Sequence, residues 1–154
     1  MPKPIINKGG CNLSFAGLKT AILRIVKNIK SDKEKFDLAA SFQRTIEDIL
    51  FTKTKVALDE FKELNSMSKG SFVVAGGVAA NKGLRKKLIE VSLQYSFKPV
   101  FPNLKLCGDN AAMIAMVGLE KFKNKQFDNL DLPANPRLSL DVNAKFLKGA
   151  GVEL

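Results

Sequence analysis

Histidine and tryptophan are both missing from the 154 residues, and tyrosine occurs once. Without histidine the chain alone can build neither a His-based general acid–base pair, nor a Ser–His–Asp triad, nor a His-rich zinc site. Cysteine is scarce too. Cys11 and Cys107 show no C-x-x-C spacing and suggest a reducing compartment. No long apolar run is present: the longest, Ala111 to Leu119, falls far short of the ~20 residues a membrane span needs. The leading MPKPIINKGG has no apolar h-region, so a signal peptide is not expected. Together these absences predict a soluble, cytoplasmic protein with no membrane partner.

Acidic residues are also in short supply, 15 against 25 Lys and Arg, for a net charge of +10. Such an excess suits a polyanion such as nucleic acid, because a positive field raises the encounter rate and displaces counterions. It equally suits a solvated, Lys-rich surface, and charge alone leaves both open. The remainder is ordinary globular composition, 45% apolar and 26% charged, at a length that fits one domain with a sizeable core.

Residues 2–13, broken by Pro2, Pro4, Gly9 and Gly10, read as a loop or edge segment. From Ser14, a good N-cap, Phe15, Leu18, Ala21, Ile22, Ile25, Val26 and Ile29 recur at helical steps. Ser31 and Glu34 form a capping box for a helix over 33–64, with a bend expected near Phe51–Thr54. Its buried stripe is expected at Phe36, Ala39, Ala40, Ile46, Ile49, Leu50, Val56, Ala57, Phe61 and Leu64. The period then changes. Phe72–Ala75 reads as a buried strand, Ala79 to about Ser92 as a helix, and Phe97–Phe101 as a second strand. After a loop over 102–108, Asp109 is expected to cap a last helix through about Phe122. Strand–helix–strand implies neighbouring parallel strands covered by helices. Two strands do not make a stable sheet alone, so further strands are expected at the N-terminus or outside this chain.

Three constellations carry chemistry. In SFVVAGGVAANKGLR, residues 71–85, a strand ends on Gly76 and Gly77, and Asn81 follows at the start of a helix. Ligands bind outside the carboxyl ends of strands in open α/β sheets, and glycine lets backbone approach a phosphate or a base closely. Asn81 could donate and accept hydrogen bonds to a ribose or phosphate. The plain alternative is a tight turn with no ligand, since the pattern is neither G-x-G-x-x-G nor a P-loop. LCGDNAAMIA, residues 106–115, places Asp109 at the same carboxyl edge, either as an N-cap or as one ligand of a metal whose partners lie elsewhere. Lys82, Arg85, Lys86 and Lys87 read either as a phosphate-contacting patch or as a solvated helix face.

NLSFAGLKTA at 12–21, FVVAGGVAANKGLRKKL at 72–88 and CGDNAAMIA at 107–115 resemble the C-terminal half of the TsaD/Gcp/YgjD family. The members are tRNA N6-adenosine threonylcarbamoyltransferases, formerly described as O-sialoglycoprotein endopeptidases. LPANPRLSL at 132–140 is similar to the family's Pro-Arg-Trp tail, and the resemblance runs in matching order from about Pro4 to Leu140. It implies an α/β fold that is one half of an actin/Hsp70-like ATPase (ASKHA), with helices packed on a small mixed sheet. Residues 1–140 would be that domain and 141–154 a C-terminal tail. It also implies transfer of threonylcarbamoyl from threonylcarbamoyl-AMP to N6 of adenosine 37 in tRNAs reading codons that start with A.

The same resemblance assigns roles. Gly76, Gly77 and Asn81 match the adenine-nucleotide motif, and Asp109 matches the one metal ligand, for iron or zinc, that the C-terminal half supplies. Two histidines from an H-x-x-x-H motif would complete that metal, and they are absent here with the whole N-terminal half. No catalytic residue is therefore expected within this chain, and activity is expected only when it is joined to that half. TsaB- and TsaE-like proteins and tRNA are the partners implied. Three departures stand out: Ala16 replaces the second Ser of the usual Ser-Phe-Ser-Gly-Leu-Lys, Gly108 the usual Ser or Thr, and Leu138 the tail's Trp. Endopeptidase chemistry finds no support, with neither H-E-x-x-H nor a Ser or Cys paired with His. The rivals are a related actin-like transferase with another acceptor, and a non-catalytic nucleotide- or tRNA-binding module.

Overall fold

The computed structural model describes residues 1–66 and 68–134. Its elements in order are α1 (Ala16–Val26), α2 (Asp32–Asn65), β1 (Gly70–Val73), α3 (Lys82–Gln94), β2 (Phe97–Val100) and α4 (Ala111–Lys123). Short 3-10 turns at Gly77–Ala80 and Leu104–Leu106 follow the two strands. The chain divides into two compact units, one from Met1 to Asp109 and a second from Asn110 onward. The expected tail, 141–154, and Leu138 lie outside the described residues.

In the first unit β1 and β2 pair in parallel, Gly70 opposite Phe97 and Val73 opposite Val100, as the strand–helix–strand pattern predicts. The architecture is thus mixed α/β, with a two-stranded parallel sheet among the described residues. Leu84, Leu88 and Val91, spaced for one helix face, are buried on α3, which packs against α2, whose Ile49 and Leu58 are buried too. Phe97 opens β2 into the same core, its ring edge-on to Phe61 with centroids 5.8 Å apart. β1 is not the buried strand the sequence predicts: it alternates half-buried and exposed, and Val73 is 63% exposed. Among the described residues the sheet has only two strands, which leaves part of its side chains open.

α2 runs unbroken through 34 residues, with no interruption at Phe51–Thr54. Its start is as read. The Ser31 hydroxyl accepts from Glu34 N at 3.3 Å, while the Glu34 carboxylate reaches back to Lys30 N at 2.7 Å. Its buried stripe differs from expectation: Thr45, Ile49, Lys53, Thr54 and Leu58 are buried, whereas Phe36 and Leu64 are 67% and 84% exposed. The cause is reach. A helix of this length extends roughly 50 Å, beyond the elements that cover its middle. Two of the three polar residues on the covered face have hydrogen-bond partners there. Thr45 Oγ1 donates to Ser41 O at 2.7 Å, and Lys53 Nζ donates to Lys8 O at 2.6 Å and Gly10 O at 2.9 Å. With the Lys3–Asp48 ion pair at 2.7 Å, Lys53 ties the leading segment to α2.

Two caps differ from the sequence reading. α1 begins at Ala16 with Phe15 at the cap position and no side-chain cap bond, so Ser14 does not cap it. α4 is capped by Asn110, whose Oδ1 accepts from Met113 N at 3.1 Å, and not by Asp109. Asn and Asp cap about equally well, and here Asn110 holds the extended backbone a cap needs. No described helix is long and apolar enough to cross a membrane.

Candidate functional site

Because β1 and β2 are parallel, the turns that follow them leave the same edge of the sheet. After β1 the chain reaches Gly76 with φ 89° and ψ 175°, a backbone region that only glycine occupies readily. A Cβ on Gly76 or Gly77 would meet no atom within 4 Å, so both glycines border open space. Packing does not demand glycine here; backbone conformation does at Gly76, and at Gly77 there is room for a ligand atom.

Helix α3 starts later than the sequence predicts. Gly77–Ala80 forms a 3-10 turn, and Asn81 is the N-cap of α3. Its Oδ1 accepts from Leu84 N at 3.1 Å and from Gln43 Nε2 at 3.0 Å, and its Nδ2 donates to Gln43 Oε1 at 2.9 Å. The two acceptor positions of Oδ1 are therefore filled, and one Nδ2 hydrogen remains. Asn81 can offer a ligand a donor but not an acceptor, narrower than the dual role the sequence suggests.

The basic cluster divides. Lys82 and Lys86 are exposed. Lys87 pairs with Glu90 at 3.1 Å and sits 5.5 Å from the Phe51 ring centroid. Arg85 turns inward, away from any common face with them. Its Nε donates to Ala79 O, its Nη2 donates to Pro102 O at 2.9 Å and to Cys107 Sγ at 3.1 Å, and its guanidinium lies 5.0 Å from the Phe101 centroid. The reason is local: two turns expose carbonyls that need donors, and only Arg carries a fork wide enough to serve both. Arg85 thus braces the glycine turn after β1 against the loop after β2. Asp109, two residues beyond Cys107, is exposed, with no hydrogen-bond or ion-pair partner among the described residues.

A hollow of about 310 Å³ adjoins this region, lined mainly by Leu50, Phe72, Val74, Val78, Leu88 and Phe101. Gly76, Gly77 and Asn81 do not line it. No group of three or more His, Cys, Asp or Glu among the described residues is placed to hold a metal ion, so Asp109 is no metal site by itself. Cys11 donates to Glu60 at 3.2 Å. Partial desolvation, then the Glu60 carboxylate, push its thiol above the ordinary value, which disfavours the reactive thiolate.

A sequence profile of the TsaD family, tRNA N6-adenosine threonylcarbamoyltransferase, matches residues 1–116, which include the glycine turn, its cap and Asp109. The chain belongs to the TsaD family. Its relatives of that name include one from Pelagibacter ubique, 64% identical over all 154 residues. Others are from Rickettsia rickettsii (strain Sheila Smith), 46% identical over 91% of the chain, and Cereibacter sphaeroides, 41% identical over 97%. The chain spans only 42–43% of the length of these TsaD relatives.

Gln43, which holds the Asn81 amide, and Glu47, which holds Gln43, lie outside the three TsaD-like motifs, and Gly83 lies inside the 72–88 motif without being singled out there. The one signal in the sequence is the Gln43/Glu47 spacing, one helical turn, which the structure realises as a 2.7 Å hydrogen bond. Nothing local connects them to Asn81, 38 residues from Gln43.

Proposed function

We propose that the chain is the C-terminal lobe of a tRNA N6-adenosine threonylcarbamoyltransferase, one half of an actin/Hsp70-like ATPase fold. It would work in the cytoplasm, with TsaB- and TsaE-like partners. The reaction transfers threonylcarbamoyl from threonylcarbamoyl-AMP to N6 of adenosine 37 in tRNAs reading codons that start with A. This lobe supplies one wall of the adenylate cleft. Gly76 and Gly77 let the ligand approach the backbone, and the remaining Asn81 N–H donates to a ribose or phosphate oxygen. Asp109 contributes one anionic oxygen toward the iron or zinc, and the histidine donors come from outside this chain.

The observation that carries this reading is the glycine turn with an Asn amide held beside it, in a chain whose residues 1–116 match the TsaD profile. Its test uses a graft in which this chain replaces the matching part of the Pelagibacter ubique relative. Asn81→Ala in the graft is expected to weaken ADP binding by about 1–3 kcal/mol in a calorimetric titration. It should also cost about 1 kcal/mol of stability, because Asn81 caps α3. Unchanged ADP affinity would leave Asn81 as a cap and the turn as a plain turn.

Lys82 and Lys86 are the members of the basic cluster open to a tRNA backbone. Lys82→Ala/Lys86→Ala in the graft should weaken tRNA binding and reduce the salt slope by about 2, since each phosphate contact contributes nearly one unit. An unaltered slope would return both lysines to solvated surface.

A further inference from the structure

The amide of Asn81 is oriented by other residues. Leu84 N–H can only donate, so the atom facing it at 3.1 Å must be Oδ1, which leaves Nδ2 to meet Gln43 Oε1 at 2.9 Å. Gln43 is oriented in turn: Nε2 donates to the Glu47 carboxylate at 2.7 Å as well as to Asn81 Oδ1 at 3.0 Å. Both side chains come from α2, and Gln43, Glu47 and Asn81 are all half-buried. Gly83 makes room for them: a Cβ there would collide with Glu47 Oε1, lie 2.9 Å from Gln43 Nε2 and 3.3 Å from Asn81 Oδ1.

We propose that Gln43, backed by Glu47 and given space by Gly83, is a positioning residue that fixes which way the Asn81 amide faces. Through it α2 presets the site to present a donor to an incoming adenine nucleotide, and never an acceptor. The inference rests on the nucleotide reading of the glycine turn given above. Without Gln43, the cap bond to Leu84 N still fixes Oδ1, but the amide plane is free to swing about that single bond. A swung amide no longer holds its second N–H in place, and the rotation that binding must then freeze lowers affinity.

The test is a double-mutant cycle in the graft, read by calorimetric titration with ADP alongside thermal melting. Gln43→Met keeps the length of the side chain and removes its two hydrogen bonds with Asn81 and the one to Glu47. Asn81→Ala and Gln43→Met are each expected to weaken ADP binding about tenfold, and the double mutant no more than Asn81→Ala alone. Gly83→Ala gives the same loss by a different route, since its methyl pushes the Gln43 amide aside without deleting a polar group. A lowered melting temperature with wild-type ADP affinity in both Gln43→Met and Gly83→Ala would make the network merely structural and overturn the inference. Additive losses in the cycle would overturn it too, because independent contacts do not position one another. If Asn81→Ala itself leaves ADP affinity unchanged, the nucleotide reading fails first and the inference falls with it.

Discussion

Arg85→Ala is expected to lower the stability of the chain by about 2–4 kcal/mol, a fall in melting temperature on the order of 10 °C. The side chain serves the Ala79 and Pro102 carbonyls and the Cys107 sulfur, and packs on Phe101. Truncation leaves two half-buried carbonyls without their charged donor, and hydrogen bonds to charged groups are among the strong ones. Arg85→Lys should recover only a minority of the loss, because an ammonium is a point donor and cannot span both turns. The local consequence follows from the topology. With the brace gone, the turn after β1 and the loop after β2 fluctuate separately, and amide exchange should quicken at both 76–81 and 102–107. A melting temperature within a degree or two of wild type would remove Arg85 from the frame of the site and return it to the basic surface.

Asp109→Asn should separate stability from activity. The cap of α4 is Asn110, so the exchange at Asp109 breaks no cap bond. Asp109 has no described polar partner, and a surface change of this kind stays within about 0.5 kcal/mol. As an oxygen donor to a cation, however, the carboxylate is replaced by a neutral amide that iron or zinc accepts far less readily. Loss of residues that merely support a metal ligand already costs 10–100-fold, so turnover of the graft should fall by more than about 100-fold. Elemental analysis after dialysis should show the metal lost in parallel, at an unchanged melting temperature. Full metal content and turnover in Asp109→Asn would leave this carboxylate without a role.

Legibility of the sequence followed the range of the interaction. The capping box at Ser31 and Glu34, the Leu84–Leu88–Val91 face and the parallel pairing of two short strands all rest on contacts between near neighbours or on one short crossover. These are the features that period and capping chemistry report. The caps at Asn81 and Asn110 were harder, because each lies beside another plausible start and backbone geometry chooses between them. The buried stripe of α2 departs from the sequence pattern for a different reason. Apolar spacing identifies a face but not how far along a long helix that face is covered. It also gave no sign that Lys53 would be buried on two backbone carbonyls. At the site, the sequence places a turn at Gly76, and the positive φ there is one that glycine accommodates. Arg85 was not: in sequence it is one of four clustered cations, and only the folded chain brings Pro102 and Cys107 to it.

As the proposed lobe of a threonylcarbamoyltransferase, this chain needs catalytic parts that lie outside it. The most direct measurement is formation of threonylcarbamoyladenosine on unmodified tRNA from threonylcarbamoyl-AMP. It compares this chain alone with the graft onto the Pelagibacter ubique relative. Turnover by the graft is expected near that of the parent relative, and none by the chain alone, which has no histidine to offer. Turnover by the chain alone, or a folded graft that binds tRNA yet forms no product, would contradict the proposal.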